Sequence, residues 1–153
     1  MEGRNIMANQ MWDDIVYFHN KFKIPQSDVP SLKLDGDLMA FRTKFLEEEF
    51  REFVEAVNDN DRVKAFDALL DLVYVAMGTA YVCRFPWIQG WDTVQSANIT
   101  KVRANHASES KRGSGFDVVK PEGWVAPDRE LELILELYEL QIKKSRLKLE
   151  ETL

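Results

Sequence analysis

An all-α fold, a helical bundle built around an antiparallel helix pair, follows from three observations on the sequence. Apolar residues recur at steps of three and four through several long segments. Asp, Asn, Pro and Gly cluster where those segments break. No stretch alternates apolar and polar residues for long enough to read as a strand.

The elements follow in order. Residues 8–22 place Met11, Ile15, Phe18 and Phe22 at helical spacing, giving a short amphipathic helix. The segment KIPQSDVPSLKLDGD carries two prolines and a glycine and reads as a loop. A second helix is expected from Asp37 to Val57, with Leu46, Phe50, Phe53, Val54 and Val57 as its apolar face. The NDND stretch at 58–61 interrupts it, and Asp61 is placed to cap the next helix. That third helix, 62–84, is apolar on every side from Ala65 to Val82 except at Asp67, Asp71 and Thr79. A helix apolar all round is normally surrounded by protein. Phe85-Pro86 ends it, and a shorter helix is expected over 92–104. Residues 105–127 are polar, contain glycine and lack a helical period, as lids, arms and disordered loops do. A last helix runs to about Glu150, with Leu133, Leu137, Leu140 and Leu147 on one stripe backed by Ile134 and Tyr138. Its lysine- and arginine-rich end suits a helix C-terminus. The expected organisation is one domain over residues 8–130 and a C-terminal amphipathic extension over 128–153.

Composition bounds the function. Hydrophobic residues at 45% and charged residues at 30% exclude wholesale disorder. A net charge of −6 disfavours a nucleic-acid binder, which needs a broad basic face. It leaves room for an anionic small substrate whose charge is met by a metal ion. Cys83 is the lone cysteine, which precludes an intrachain disulfide and fits a reducing compartment. The N-terminal MEGRNIMANQMWDD lacks a signal-peptide core, and the uncharged run from Leu72 to Cys83 is shorter than a membrane span. A cytoplasmic protein with no membrane partner is the expectation.

The chemistry concentrates in carboxylates. In FLEEEFREF, the helical angle of about 100° per residue puts Glu48, Glu49 and Glu52 in one arc that also holds Phe45 and Ala56, while Glu47, Arg51 and Glu55 point toward solvent. On the third helix Asp67 and Asp71 stand one turn apart, in line with Tyr74 and Gly78. Buried anions must be paired, hydrogen-bonded or neutralised. If the two helices form a hairpin through NDND, the acids converge with no lysine or histidine on either stripe. A hard divalent cation, Mg²⁺ or its substitute Mn²⁺, is the simplest neutraliser. The bland alternatives are a solvated glutamate face, and capping, salt-bridge or interface roles for the aspartates. His19 and His106 complete no Glu-x-x-His pair for a di-iron site, zinc lacks ligands, and there is no P-loop.

The run EEEFRE, then DALLDLVYVAMGTAY, then WDTVQSANITK resembles the MazG-like all-α nucleoside triphosphate pyrophosphohydrolases, in the phosphoribosyl-ATP pyrophosphohydrolase-like, phage and bacterial style. Glu48, Glu49 and Glu52 match the family's E-E-x-x-E, and Asp71 matches the aspartate of its E-x-x-D. The tail KPEGWVAPD and the opening YFHNKFKIP also fit. The resemblance spans about residues 12–130. One departure stands out: Ala68 occupies the position of the second motif's glutamate, and Asp67 is the nearest acid.

The resemblance implies Mg²⁺-dependent hydrolysis of a nucleoside triphosphate between the α and β phosphates, on Glu49, Glu52, Asp71 and Asp67 as metal ligands. Glu48 is the candidate to orient or deprotonate the attacking water. Asn98 and Lys101 are candidates for sugar and phosphate, against the plainer readings of a surface amide and a helix-end charge. His19, Tyr74 and Trp124 are candidates for base contact, or else core and interface packing. Arg42 is a second phosphate ligand or a surface ion pair. The rivals are hydrolysis of phosphoribosyl-ATP by the same helix pair, and a non-catalytic helical oligomerisation protein. A homodimer or tetramer is expected, because a nearly all-apolar helix cannot easily be covered within one chain.

Overall fold

The computed structural model describes residues 2–152, with side chains from residue 10 onward. The expected domain's first residues, 8 and 9, are therefore described in backbone alone, and residue 153 lies outside the described residues. The element order is α1 (Glu2–Lys21), α2 (Leu38–Asn58), α3 (Arg62–Val82), α4 (Trp87–Asn98), β1 (Val102–Arg103), β2 (Val118–Val119) and α5 (Asp128–Glu150). The fold is all-α, with one two-residue antiparallel ribbon.

Packing divides the chain into two compact units, residues 1–88 with 138–153, and residues 89–137. The boundaries between the units fall within α4 and α5.

In the first unit α2 and α3 form the expected hairpin. Asp61 caps α3 as its sequence suggests, its carboxylate accepting from the Val63 and Lys64 amides, both at 3.1 Å. Ile15 of α1 packs with Met77, Tyr81, Val82 and Cys83 of the α3 end to make the core. Trp12 stacks on Trp87 at its edge, the ring centroids 6.3 Å apart. The loop after α1 is sewn to the last turn of α3: the Ser27 and Ser31 amides donate to the Val82 and Cys83 carbonyls at 2.8 and 3.0 Å. Carbonyls at a helix end need such partners.

Helix α4 corrects the expected helix over 92–104. It begins earlier, at Trp87, and stops at Asn98, where the Lys101 amide turns back to the Asn98 carbonyl at 3.2 Å. Val102 and Arg103 then pair with Val119 and Val118. Of the alternatives open to the segment without a helical period, it is thus the folded arm. Asp117 bolts it: its carboxylate accepts from Ser110 Oγ at 2.6 Å and from Arg112 Nη1 at 2.7 Å. Those bonds hold the Asp117 carboxyl below the usual carboxylate range, the Ser110 contact contributing most.

Candidate active site

The seam between α2 and α3 is built from residues seven apart. Arg42, Glu49 and Ala56 are the buried residues of α2, and Ala68, Val75 and Val82 lie at the same spacing on the buried side of α3. Seven residues are two turns, so each set forms one line along its helix. Alanine at both 56 and 68, near the turn, leaves room for close approach. Of the apolar face expected on α2, Leu46 and Phe53 are partly buried. Phe50, Val54 and Val57 are exposed in the single chain.

Glu49 is drawn into the seam and is 7% exposed, whereas Glu48, Glu52, Asp67 and Asp71 are exposed around it. Burial raises the proton affinity of Glu49, and the charges of Asp71, Glu52, Glu48 and Asp67, in that order, push the same way. All five acids singled out in the sequence therefore act on one locality. Among the described residues none of the five has an ion-pair partner. Within one chain the buried member of the cluster is the glutamate rather than either aspartate. Arg51 and Glu55 pair with each other at 3.7 Å on the solvent side, as their angles require.

As the side chains stand, no three His, Cys, Asp or Glu residues among those described are gathered as a metal ion needs. The donor chemistry still fits a hard divalent cation. Every candidate ligand is a carboxylate oxygen, and Glu49 is a partly desolvated anion surrounded by like charge.

Arg42 is neither of the two things its sequence position suggested. It is 5% exposed, and its Nη2 donates to the Val75 carbonyl at 2.6 Å while Nε donates to Thr79 Oγ1 at 3.1 Å. His19 takes the packing alternative: at 1% exposure, with its ring centroid 4.6 Å from that of Tyr81, it lies in the interior of the chain. Its Nδ1 lies 2.8 Å from the Ile15 carbonyl, so that nitrogen carries the proton, and Nε2 is left without a partner. Gly78 makes the junction feasible, because a Cβ there would come within 2.7 Å of Arg42 Nη2 and 2.8 Å of His19 Cε1. Tyr74 is partly exposed, with Phe18 edge-on at 5.5 Å.

In the second unit the structure brings Asn98, Lys101 and Trp124 together. Lys101 Nζ donates to Asn98 Oδ1 at 2.8 Å and lies 5.5 Å from the Trp124 ring centroid. The indole Nε1–H donates to the Ala97 carbonyl at 3.0 Å. The sequence reading missed Lys120, whose Nζ is 4.3 Å from the same centroid. Its signal was the ribbon: KVR and VVK are short valine-bearing runs flanking a polar, glycine-containing turn.

The family described as phosphoribosyl-ATP pyrophosphohydrolase matches residues 16–98, more than half of the chain, covering α2, α3 and every acid of the cluster. No match is found among curated proteins. With an acidic α2–α3 hairpin of this form and a family match of this extent, the chain belongs to the phosphoribosyl-ATP pyrophosphohydrolase family, within the MazG-like all-α nucleoside triphosphate pyrophosphohydrolase superfamily.

Proposed function

We propose that this phosphoanhydride hydrolase cleaves a nucleoside or deoxynucleoside triphosphate between its α and β phosphates, releasing a monophosphate and pyrophosphate in a Mg²⁺-dependent reaction. The observation that carries the reading is Glu49, partly desolvated among four other acids with no basic partner on the helix pair. Glu49, Glu52, Asp67 and Asp71 would hold the ion, with Mn²⁺ as a substitute. Bound there, the metal would supply positive charge against the phosphate oxygens. Glu48 is exposed beside them and has no ion-pair partner among the described residues, so its carboxylate is available to orient the attacking water and accept its proton. Asn98 and Lys101 are assigned to sugar and phosphate, and Trp124 and Tyr74 to the base.

The working protein is proposed to be a cytoplasmic homodimer or tetramer. Phe66, Leu69, Leu70 and Val73 of α3 are all at least 45% exposed in one chain, as are Phe50 and Val57 of α2. Apolar surface of that extent marks an association face.

A panel of nucleoside triphosphates, assayed for pyrophosphate with Mg²⁺ and Mn²⁺, tests the reading, and phosphoribosyl-ATP belongs in the panel. The matched family's description favours that compound as the alternative substrate. Turnover of phosphoribosyl-ATP alone would replace the first reading by the second. No turnover of any compound, together with no thermal stabilisation by either ion, would leave a helical oligomerisation protein.

A further inference from the structure

The open end of the ribbon carries two like charges face to face. Val102 pairs with Val119 and Arg103 with Val118, so one further step of the register sets Lys101 opposite Lys120. Like charges directly opposed across strands are destabilising. Both ammonium groups nevertheless converge on one indole, at 5.5 and 4.3 Å from the Trp124 centroid. The ring is held in place from α4 through Ala97, and Lys101 is oriented by Asn98. Among the described residues neither lysine has a carboxylate partner, in a chain of net charge −6. The ring face attracts each cation, but it does nothing to relieve the repulsion between them.

Trp124 also walls a cleft of about 420 Å³ lined by Thr93, Ser96 and Thr100 together with Glu122 and Glu130. Hydroxyls and carboxylates recognise the hydroxyl groups of a sugar, whereas the two lysines suit an anion. One aromatic side chain thus joins a compartment of hydroxyl and carboxylate residues to a dicationic one.

We propose that Lys120 acts with Lys101 as a two-point clamp for the phosphate chain of the nucleotide, on the Trp124 platform. The proposal rests on the assignment of Asn98, Lys101 and Trp124 to substrate. An anion bridging both ammonium groups is attracted by each and removes their mutual repulsion, and Lys120 makes the second contact that Lys101 alone cannot.

The test uses the full chain with inorganic pyrophosphate as the probe, in the presence of a chelator so that the acidic cluster contributes no metal-mediated binding. Calorimetry should show binding that weakens as salt is raised. Lys120→Met should weaken it about ten-fold, the loss of one charge-assisted contact, and Lys120→Arg should restore most of it. Lys120→Met should also raise KM for the nucleotide more than it lowers kcat. No pyrophosphate binding by the wild type, or equal binding by Lys120→Met, overturns the clamp. If pyrophosphate binding depends on Lys120 while the wild type hydrolyses no nucleotide, the clamp stands and the hydrolase reading fails. If hydrolysis is robust and Lys120→Met moves neither affinity nor KM, the clamp fails and the hydrolase reading survives.

Discussion

At the residue scale, Glu49 differs from its neighbours because burial and four nearby acids act on it together. Its folded-state proton affinity lies above that of the unfolded chain, so ionising it opposes folding as pH rises through the raised value. Glu49→Gln removes both that opposition and the ligand charge. The expected outcome is a metal-free protein that melts higher, by roughly 2–4 °C for each kcal/mol relieved. Its turnover should fall by about two orders of magnitude, the effect of ~3 kcal/mol at the transition state. Paired melting curves and pyrophosphate release check this, and full activity in the variant would remove the acidic-cluster reading. Gly78 lies under the Arg42–His19 junction, where Ala has no room. Gly78→Ala should destabilise by about 1–3 kcal/mol, the usual range for overpacking, read in chemical denaturation. His19 has the opposite linkage to Glu49. Its burial depresses the folded pKa, the backbone bond to Ile15 partly opposes this, and the charge of Arg42 reinforces it. The unfolded chain therefore takes up the proton first. The His19 contribution is complete above the unfolded value near 6.5 and is lost as pH falls below it. His19→Gln should flatten that part of the stability profile, and an unchanged slope between pH 7 and 5 would refute the assignment.

At the scale of the element, the α2–α3 hairpin is held by its cap and its seam. Asp61→Ala should cost about 1 kcal/mol, as loss of an N-cap does, lowering the melting temperature by a few degrees. Asp67 is exposed beside the cluster, and Asp67→Asn should weaken the metal dependence of turnover; an unchanged metal titration would make Asp67 structural. The seam also shows why Ala68 does not simply vacate a ligand position. It is 3% exposed against α2, so a glutamate there would have to displace neighbouring packing. Ala68→Glu in the Asp67→Asn background should therefore lose stability rather than regain metal response, and circular dichroism melts followed by a metal titration decide between the two.

At the scale of the whole molecule, α3 is long and apolar enough to cross a membrane by length and composition, yet it carries Asp67 and Asp71 and packs on α1 and α2. Much of its apolar surface stays open in the single chain. A second copy is the covering we propose, and light scattering should then return a mass well above the 17.8 kDa of one chain. Phe66→Glu with Leu70→Glu should shift the protein toward that monomer mass. Intact activity in a wild-type monomer would remove the proposed assembly.

Helical class, the hairpin turn, the Asp61 cap and the identity of the five acids were legible in the sequence because each is local. A 3.6-residue period, a capping side chain and a run of carboxylates declare themselves within a few residues. The arc holding Glu49 and Ala56 was legible as the side facing α3, whereas the burial of Arg42 on the same line was not, because a period records only that some partner covers a side chain, not which one. Hydropathy also marked Phe50, Val54 and Val57, which stay exposed in the single chain, whereas the seam buries Arg42, which is tolerated because α3 supplies it a carbonyl and a hydroxyl. Burial of His19 and Arg42 and the meeting of Lys101 with Lys120 likewise required the tertiary structure. Each depends on residues far apart in the chain, and the period of a single segment carries no information about its neighbour in space.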